Sequence, residues 1–204
     1  MDIKIKMIPL GSEVNQVLQT KLALYDAFTQ LLDSRAYNDI TVGQICKKAN
    51  FSRAVFYNHY HNKNEFLQEI FNRIIAMYHK KIDHAERKGA LTEEYIHTTF
   101  LGILQEYKKF FLLLDDIRRL DMLEHFLEQE NYSIFCRAAH LEAAASTTCY
   151  CTYLLRYHAI GLSGLYIDWL RHDDPIPVED FVKILKHLLQ YQTIKGFVTF
   201  MEEL

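Results

Sequence analysis

Between residues 41 and 63, three positions carry side chains suited to opening a helix: Thr41 with Gln44 three residues on, Ser52, and Asn62 followed by Lys63. Such starts leave backbone N–H groups without intrahelical partners and sit at the positive end of the helix dipole. The chemistry they offer is the binding of an anion, phosphate above all. The spacing predicts a short helix over about 41–48 and a second over about 53–59. Asn50 lies between them and tolerates the left-handed backbone of a tight helix end. Two short helices joined by three or four residues form a helix-turn-helix. In the second, Phe51, Phe56 and Tyr60 are expected to face inward. Arg53, Ala54, Tyr57 and Asn58 are expected to face outward. Three helix starts gathered around one such face point to double-stranded DNA rather than to a generic helical surface.

No competing chemistry is spelled out. There is no Gly-rich phosphate loop, no G-x-S-x-G and no H-E-x-x-H. Asp115-Asp116 and Glu202-Glu203 are neighbours in sequence, so they do not converge on one site and read as solvated ends. Cys149-x-Cys151 with His158 invites a metal reading. The segment reads as helical, however, and a helix turns i and i+2 onto different faces, which favours buried thiols. No metal, no cofactor and no enzymatic activity are expected.

The elements that must hold the outward face are helical throughout. Val14, Val17, Leu18, Leu22, Tyr25, Phe28, Leu31 and Leu32 recur at helical spacing over 13–34, with a turn signal at Asn38-Asp39. Phe66, Leu67, Ile70, Phe71, Ile74, Ile75 and Tyr78 mark a long amphipathic helix from Lys63 to Ile82. Further helices are expected over about 91–107, 108–115, 119–144, 147–171 and 178–200. They are punctuated by Gly89, Asp115-Asp116, Ser146-Thr147-Thr148 and the turn from Asp173 to Pro177. The fold class is all-α, with an N-terminal three-helix helix-turn-helix domain over 1–80 and a helical domain over 81–204. No flexible linker separates them, so the boundary is expected inside or just after the fourth helix.

Composition agrees with a packed, globular chain: half of the 204 residues are hydrophobic, and only 7 are Gly and 3 Pro. The net charge of −3 carries no nucleic-acid signal. Its distribution is more informative, because residues 1–80 hold 10 Lys+Arg against 7 Asp+Glu, whereas residues 81–204 hold 13 against 19. No secretory pattern follows Met1, and no run of about 18 apolar residues is present, so a cytoplasmic location with reduced thiols is expected.

The stretch TVGQICKKANFSRAVFYNHYHNKNEFL, residues 41–67, resembles the DNA-binding domain of the TetR/AcrR family of regulators. Thr41, Ser52, Arg53, Phe56, Tyr57, Tyr60 and Lys63 carry the match, which extends over about residues 14–75. The family usually has glycine where Ala36 and Asn50 stand, and often at Ala54. The resemblance implies that Thr41 and Lys63 hold phosphates and that Tyr57 and His59 contact the sugar-phosphate backbone. It places Ser52, Arg53 and Ala54, with Asn58 on the same face, at the major groove. A guanidinium can grip guanine with two bonds, so Arg53 could read a base; it could equally hold only a phosphate. Tyr57 could instead pack in the core, and His59 and His61 could simply be solvated. Lys4 and Lys6 could form a minor-groove arm or a disordered tail.

The resemblance also implies that the C-terminal block binds a small effector and forms a homodimer. Independently, residues 153–171 place Ala159, Gly161, Ser163 and Gly164 in an otherwise apolar helix. Glycine costs a helix about 1 kcal/mol against alanine, so such residues mark a close helix approach. Gly161, Gly164, Leu165 and Trp169, with Leu185, Leu188 and Leu189 of the last helix, are the expected dimer surface. An intramolecular contact is the alternative. The aromatics from Phe100 to Tyr157 could line an effector pocket, but most are expected to fill the core. A dimer would read a palindromic operator. Repression relieved by an effector is the leading expectation. The alternative is an interaction protein or coactivator that works through another regulator.

Overall fold

The computed structural model describes residues 15–138, 149–172 and 175–189, and among them every regular element is helical. The chain divides into two compact units, Met1–His84 and Ala85–Leu204, with the division inside a helix. No helix among the described residues is long and apolar enough to cross a membrane.

The first unit contains α1 (Asn15–Leu32), a 3-10 turn (Tyr37–Asp39), α2 (Val42–Lys48), α3 (Arg53–Tyr57) and most of α4 (Lys63–Arg87). Its core is an aromatic cluster centred on Phe66, which is fully buried. The Phe66 ring lies 5.3 Å from Tyr25, 5.5 Å from Phe28, 5.4 Å from Phe56 and 5.1 Å from Tyr60. These separations suit offset and edge-on aromatic packing. One residue of α4 thereby touches α1, α3 and the turn after α3, so the short α3 is held by aromatic packing rather than by its own helix propensity. All seven residues of the expected apolar stripe on α4 are buried.

A polar network runs beside this cluster. The Tyr25 and Tyr60 hydroxyls share a 2.9 Å hydrogen bond, and burial pushes both phenols well above their ordinary pKa. The Glu69 carboxylate accepts from Arg73 at 2.8 Å and Lys21 at 3.2 Å. Burial opposes the charge on Glu69, but the hydrogen bonds from Arg73 and Lys21 outweigh it and hold the carboxyl below its ordinary range.

Helix ends follow capping chemistry more closely than apolar periodicity. The fourth helix runs to Arg87 rather than Ile82. Its stop is Gly89 in the left-handed region, φ 65°, with Ala90 N–H donating to Ala85 O and Gly89 N–H to Glu86 O. That is a Schellman end.

The second unit contains α5 (Glu93–Glu106), α6 (Lys108–Asp116), α7 (Asp121–Ala138), α8 (Cys149–Arg171) and α9 (Val178–Leu189). Helix α8 packs against α5, α6 and α7, and α9 packs against α5. Of the aromatics between Phe100 and Tyr157, Phe100, Tyr107, Phe110, Phe111 and Phe126 are buried, and Tyr153 and Tyr157 are exposed. The side chains of Tyr132, Phe135 and Tyr150 lie outside the described residues, as do Lys4, Lys6 and the expected segment 190–200. Asp115 and Asp116, read as solvated ends, both take the Arg171 guanidinium, which ties the end of α8 to the end of α6.

Candidate nucleic-acid interface

Thr41 opens α2 with a complete capping box. Its hydroxyl accepts from Gln44 N–H at 3.3 Å, and the Gln44 side chain accepts from Thr41 N–H at 2.7 Å. The helix closes on Asn50, φ 60°, where Phe51 N–H donates to Cys46 O at 2.8 Å and Asn50 N–H to Lys47 O at 3.3 Å. This Schellman end turns the chain sharply enough for α3 to begin three residues later. Lys47 and Lys48, exposed in the last turn of α2, complement the negative end of its dipole.

Ser52 occupies the cap position of α3 with an extended backbone, but its hydroxyl makes no capping bond. The sequence expectation of a side-chain cap is therefore corrected there. A five-residue helix pinned by Phe56 does not depend on one, and the exposed hydroxyl stays on the outer surface.

Helix α3 sorts most of its residues, although Phe51, expected inward, and Val55 are half-buried. Phe56 is fully buried, and Tyr60 beyond the helix is buried as well. Ser52, Arg53, Ala54, Tyr57 and Asn58 are exposed. Tyr57 is 55% exposed and stands edge-on to Phe56, so it lies outside the core that was its alternative place. His59 is half-buried with its ring 6.1 Å from Tyr60. Thr41 is exposed at the start of α2.

The Arg53 guanidinium has no hydrogen-bond acceptor and no ion-pair partner among the described residues. It lies across the first turn of α2, over Gly43. A Cβ added at Gly43 would come within 2.6 Å of Arg53 Nη2 and 2.9 Å of Nε. The sequence reading missed Gly43, Lys47 and Lys48. The basic pair was legible as a helix-end complement. The seat at Gly43 was not, because it depends on how α2 and α3 cross.

The Lys63 side chain, expected to hold a phosphate, is engaged by groups within the chain. Its ammonium donates to Tyr37 O at 2.7 Å and Ile40 O at 2.8 Å, and sits 3.8 Å from the Tyr37 ring centre. Burial lowers its pKa. Asn62 caps α4 by accepting from Glu65 N–H at 2.9 Å. Glu65 in turn accepts from the His61 backbone N–H and pairs with the His61 ring, both at 2.7 Å, which lowers its pKa.

Of the residues expected at a dimer surface, Gly161, Gly164, Leu165 and Leu188 are exposed. Trp169 and Leu185 are not available to a partner. Trp169 is 5% exposed, stacks on Phe181 with ring centres 5.4 Å apart, and donates to Ile176 O at 3.0 Å. Leu185 is fully buried. Both sit on the inward stripes of their helices, which the mixed apolar pattern of α8 and α9 did not distinguish. The Leu189 side chain lies outside the described residues.

Residues 24–70 match the family described as "Bacterial regulatory proteins, tetR family". An uncharacterized HTH-type transcriptional regulator of Bacillus subtilis, YxbF, is 32% identical over 116 residues, 56% of this chain and 28% of that protein. The HTH-type dhaKLM operon transcriptional activator DhaS of Lactococcus lactis is 37% identical over 57 residues, 28% of this chain and 30% of that protein. The alignments thus span less than a third of either relative's length. The crystal structure of a TetR transcriptional regulator from Streptococcus agalactiae superposes with a TM-score of 0.63 at 23% identity, covering 85% of this chain and 95% of that one. At that identity the likeness is one of fold.

Proposed function

We propose, from the match of residues 24–70 to the tetR family of bacterial regulatory proteins, that this chain is a transcriptional regulator that binds a palindromic operator as a homodimer. The observation that carries the reading is the sorting of α3: Phe56 is locked in the core while Ser52, Arg53, Ala54, Tyr57 and Asn58 stand together on the outside. In this reading α3 is the recognition helix. Arg53 reaches a base edge or a phosphate, Tyr57 and His59 lie against the sugar-phosphate backbone, and Thr41 holds a phosphate at the start of α2. Lys47 and Lys48 add positive charge beside them. Lys63 serves the same surface indirectly, by anchoring the 3-10 turn to α4.

The homodimer is supported by apolar and glycine residues left exposed on α8 and α9: Tyr157, Ile160, Gly161, Gly164, Ile184 and Leu188. A Cβ at Gly161 or Gly164 would meet nothing within 4 Å, so neither glycine is needed for packing among the described residues. Release by a small effector belongs to the same proposal. Repression is the proposed sign. Activation is the second reading, favoured by the one relative described as an operon activator.

The test is a mobility shift on DNA flanking the protein's own gene, for wild type, Arg53→Ala and Tyr57→Ala, at two salt concentrations. Wild type should bind tightly and lose affinity steeply with salt. The variants should bind weakly while keeping helicity and dimer mass. A folded wild-type dimer that shifts no fragment would count against operator binding and for action through another regulator.

A further inference from the structure

The geometry points to Gly43 as the residue that sets which base Arg53 reads, an inference that rests on the DNA-binding role proposed for α3. Gly43 is the second residue of α2, a position where alanine would favour the helix. Nothing in the backbone calls for glycine there, since Gly43 is helical and does not have a positive φ. What its missing side chain does is leave room. The Arg53 guanidinium occupies that room, and a Cβ at position 43 would lie 2.6 Å from Nη2, 2.9 Å from Nε and 3.0 Å from Cζ. The atoms in conflict are the far end of a flexible side chain, so an alanine would displace the guanidinium rather than the backbone.

The guanidinium is otherwise uncommitted. Arg53 is exposed, with no acceptor and no carboxylate partner among the described residues, and no acidic residue stands in the first turn of α2. Its aim is therefore set by the shape of its seat rather than by a hydrogen-bond acceptor or a carboxylate. Two-bonded recognition of guanine requires the planar fork to arrive in one orientation, whereas holding a phosphate tolerates several. Moving the resting place of the fork should alter base choice more than total affinity. Gly43 is thus a positioning residue that acts through Arg53 and need not touch DNA itself.

The test selects duplexes from a random-sequence library with four full-length proteins: wild type, Gly43→Ala, Arg53→Ala and the double variant. Each is then measured against the wild-type-selected duplex, its single-base variants and an unrelated duplex. The expected result is that Gly43→Ala shifts preference about tenfold at the half-site position where Arg53→Ala loses discrimination, within the range a two-bonded base contact provides. Its affinity for unrelated duplex and its salt slope should stay at wild-type values, because Arg53 keeps its charge. In the Arg53→Ala background, adding Gly43→Ala should change nothing.

Unchanged selection by Gly43→Ala would overturn the inference. So would an effect of Gly43→Ala that persists without the Arg53 side chain. A wild type that selects no sequence would fail differently: it would remove the DNA-binding reading, and the inference with it. Since alanine favours α2, a fold defect is not expected, and circular dichroism of each variant checks this.

Discussion

Lys63 carries a contact within the chain that its residue type and place do not announce. A lysine at the start of α4, next to a helix-turn-helix, has the charge and place of a phosphate ligand. Its ammonium instead satisfies the carbonyls of Tyr37 and Ile40, two residues whose side chains are buried. Lys63→Met keeps the apolar stem and removes the donors. Tyr37 O keeps the Ile40 N–H at 3.1 Å, so the loss falls on Ile40 O, and leaving that carbonyl without its donor should cost about 1–3 kcal/mol, read as a fall in the urea midpoint. The salt slope of DNA binding should not change, because no phosphate contact is lost; a slope smaller by about 0.9 would restore the phosphate role. Residue types and spacing were enough to choose the outward face of α3, since its period is visible in Phe56, Tyr57 and Tyr60. They could not reveal where a long flexible side chain ends. The destinations of Lys63 and Arg53 depend on carbonyls and gaps contributed by elements far away in sequence.

At the scale of elements, apolar periodicity located the helices, and end chemistry fixed where they stop. Asn50 and Gly89 were legible as stops because both residue types accept the left-handed backbone. Arg118 was not, yet it has φ 57° at the end of α6, with Arg119 N–H donating to Leu114 O at 2.7 Å and Arg118 N–H to Asp115 O at 2.9 Å. An L-residue, whose Cβ crowds the following carbonyl in that conformation, costs about 1–2 kcal/mol. Arg118→Gly should therefore raise the thermal midpoint, by a net stabilisation of about 0.5–1 kcal/mol once the greater freedom of glycine in the unfolded chain is subtracted. No gain would mean that the Arg118 side chain contributes a contact of comparable worth. The network joining α1 to α4 supplies a second test. Glu69 has a depressed pKa in the folded state, so its contribution is present above the ordinary carboxylate pKa, about 4.3, and is lost as pH falls through the lower folded value. Glu69→Gln removes that term and leaves Arg73, 4% exposed at its side chain, without its carboxylate. The gap in urea midpoint between wild type and Glu69→Gln should be widest near neutral pH and narrow below about pH 4.3. A gap independent of pH would show that the ionisation of Glu69 is not what matters.

At the scale of the whole molecule, the question is what covers the exposed faces of α8 and α9. Tyr157 is 66% exposed and Ile160 47%, and each lies about one helical turn from the open surface at Gly161 and Gly164. Apolar groups grouped in this way, beside glycines that serve no packing among the described residues, fit a helix surface made for close approach by another helix. A second copy is the occupant that also suits DNA, because two recognition helices related by a two-fold axis double the base and phosphate contacts. Gly164→Arg places a charged side chain on this face, where among the described residues nothing beyond the helix's own backbone and the chain neighbours lies within 4 Å of the new Cβ. Gly102→Arg on α5 is a matched control: it is equally open and exposed, but lies on another helix. Sedimentation should show the mass of Gly164→Arg falling to that of a monomer at concentrations where wild type and Gly102→Arg remain dimers, with helicity equal in all three. Operator affinity should fall with the dimer, and its salt slope should drop toward half, because a monomer neutralises half the phosphates. If Gly164→Arg stays dimeric while Gly102→Arg dissociates, the two-fold axis passes by α5, and the exposed apolar face of α8 must be covered by something else.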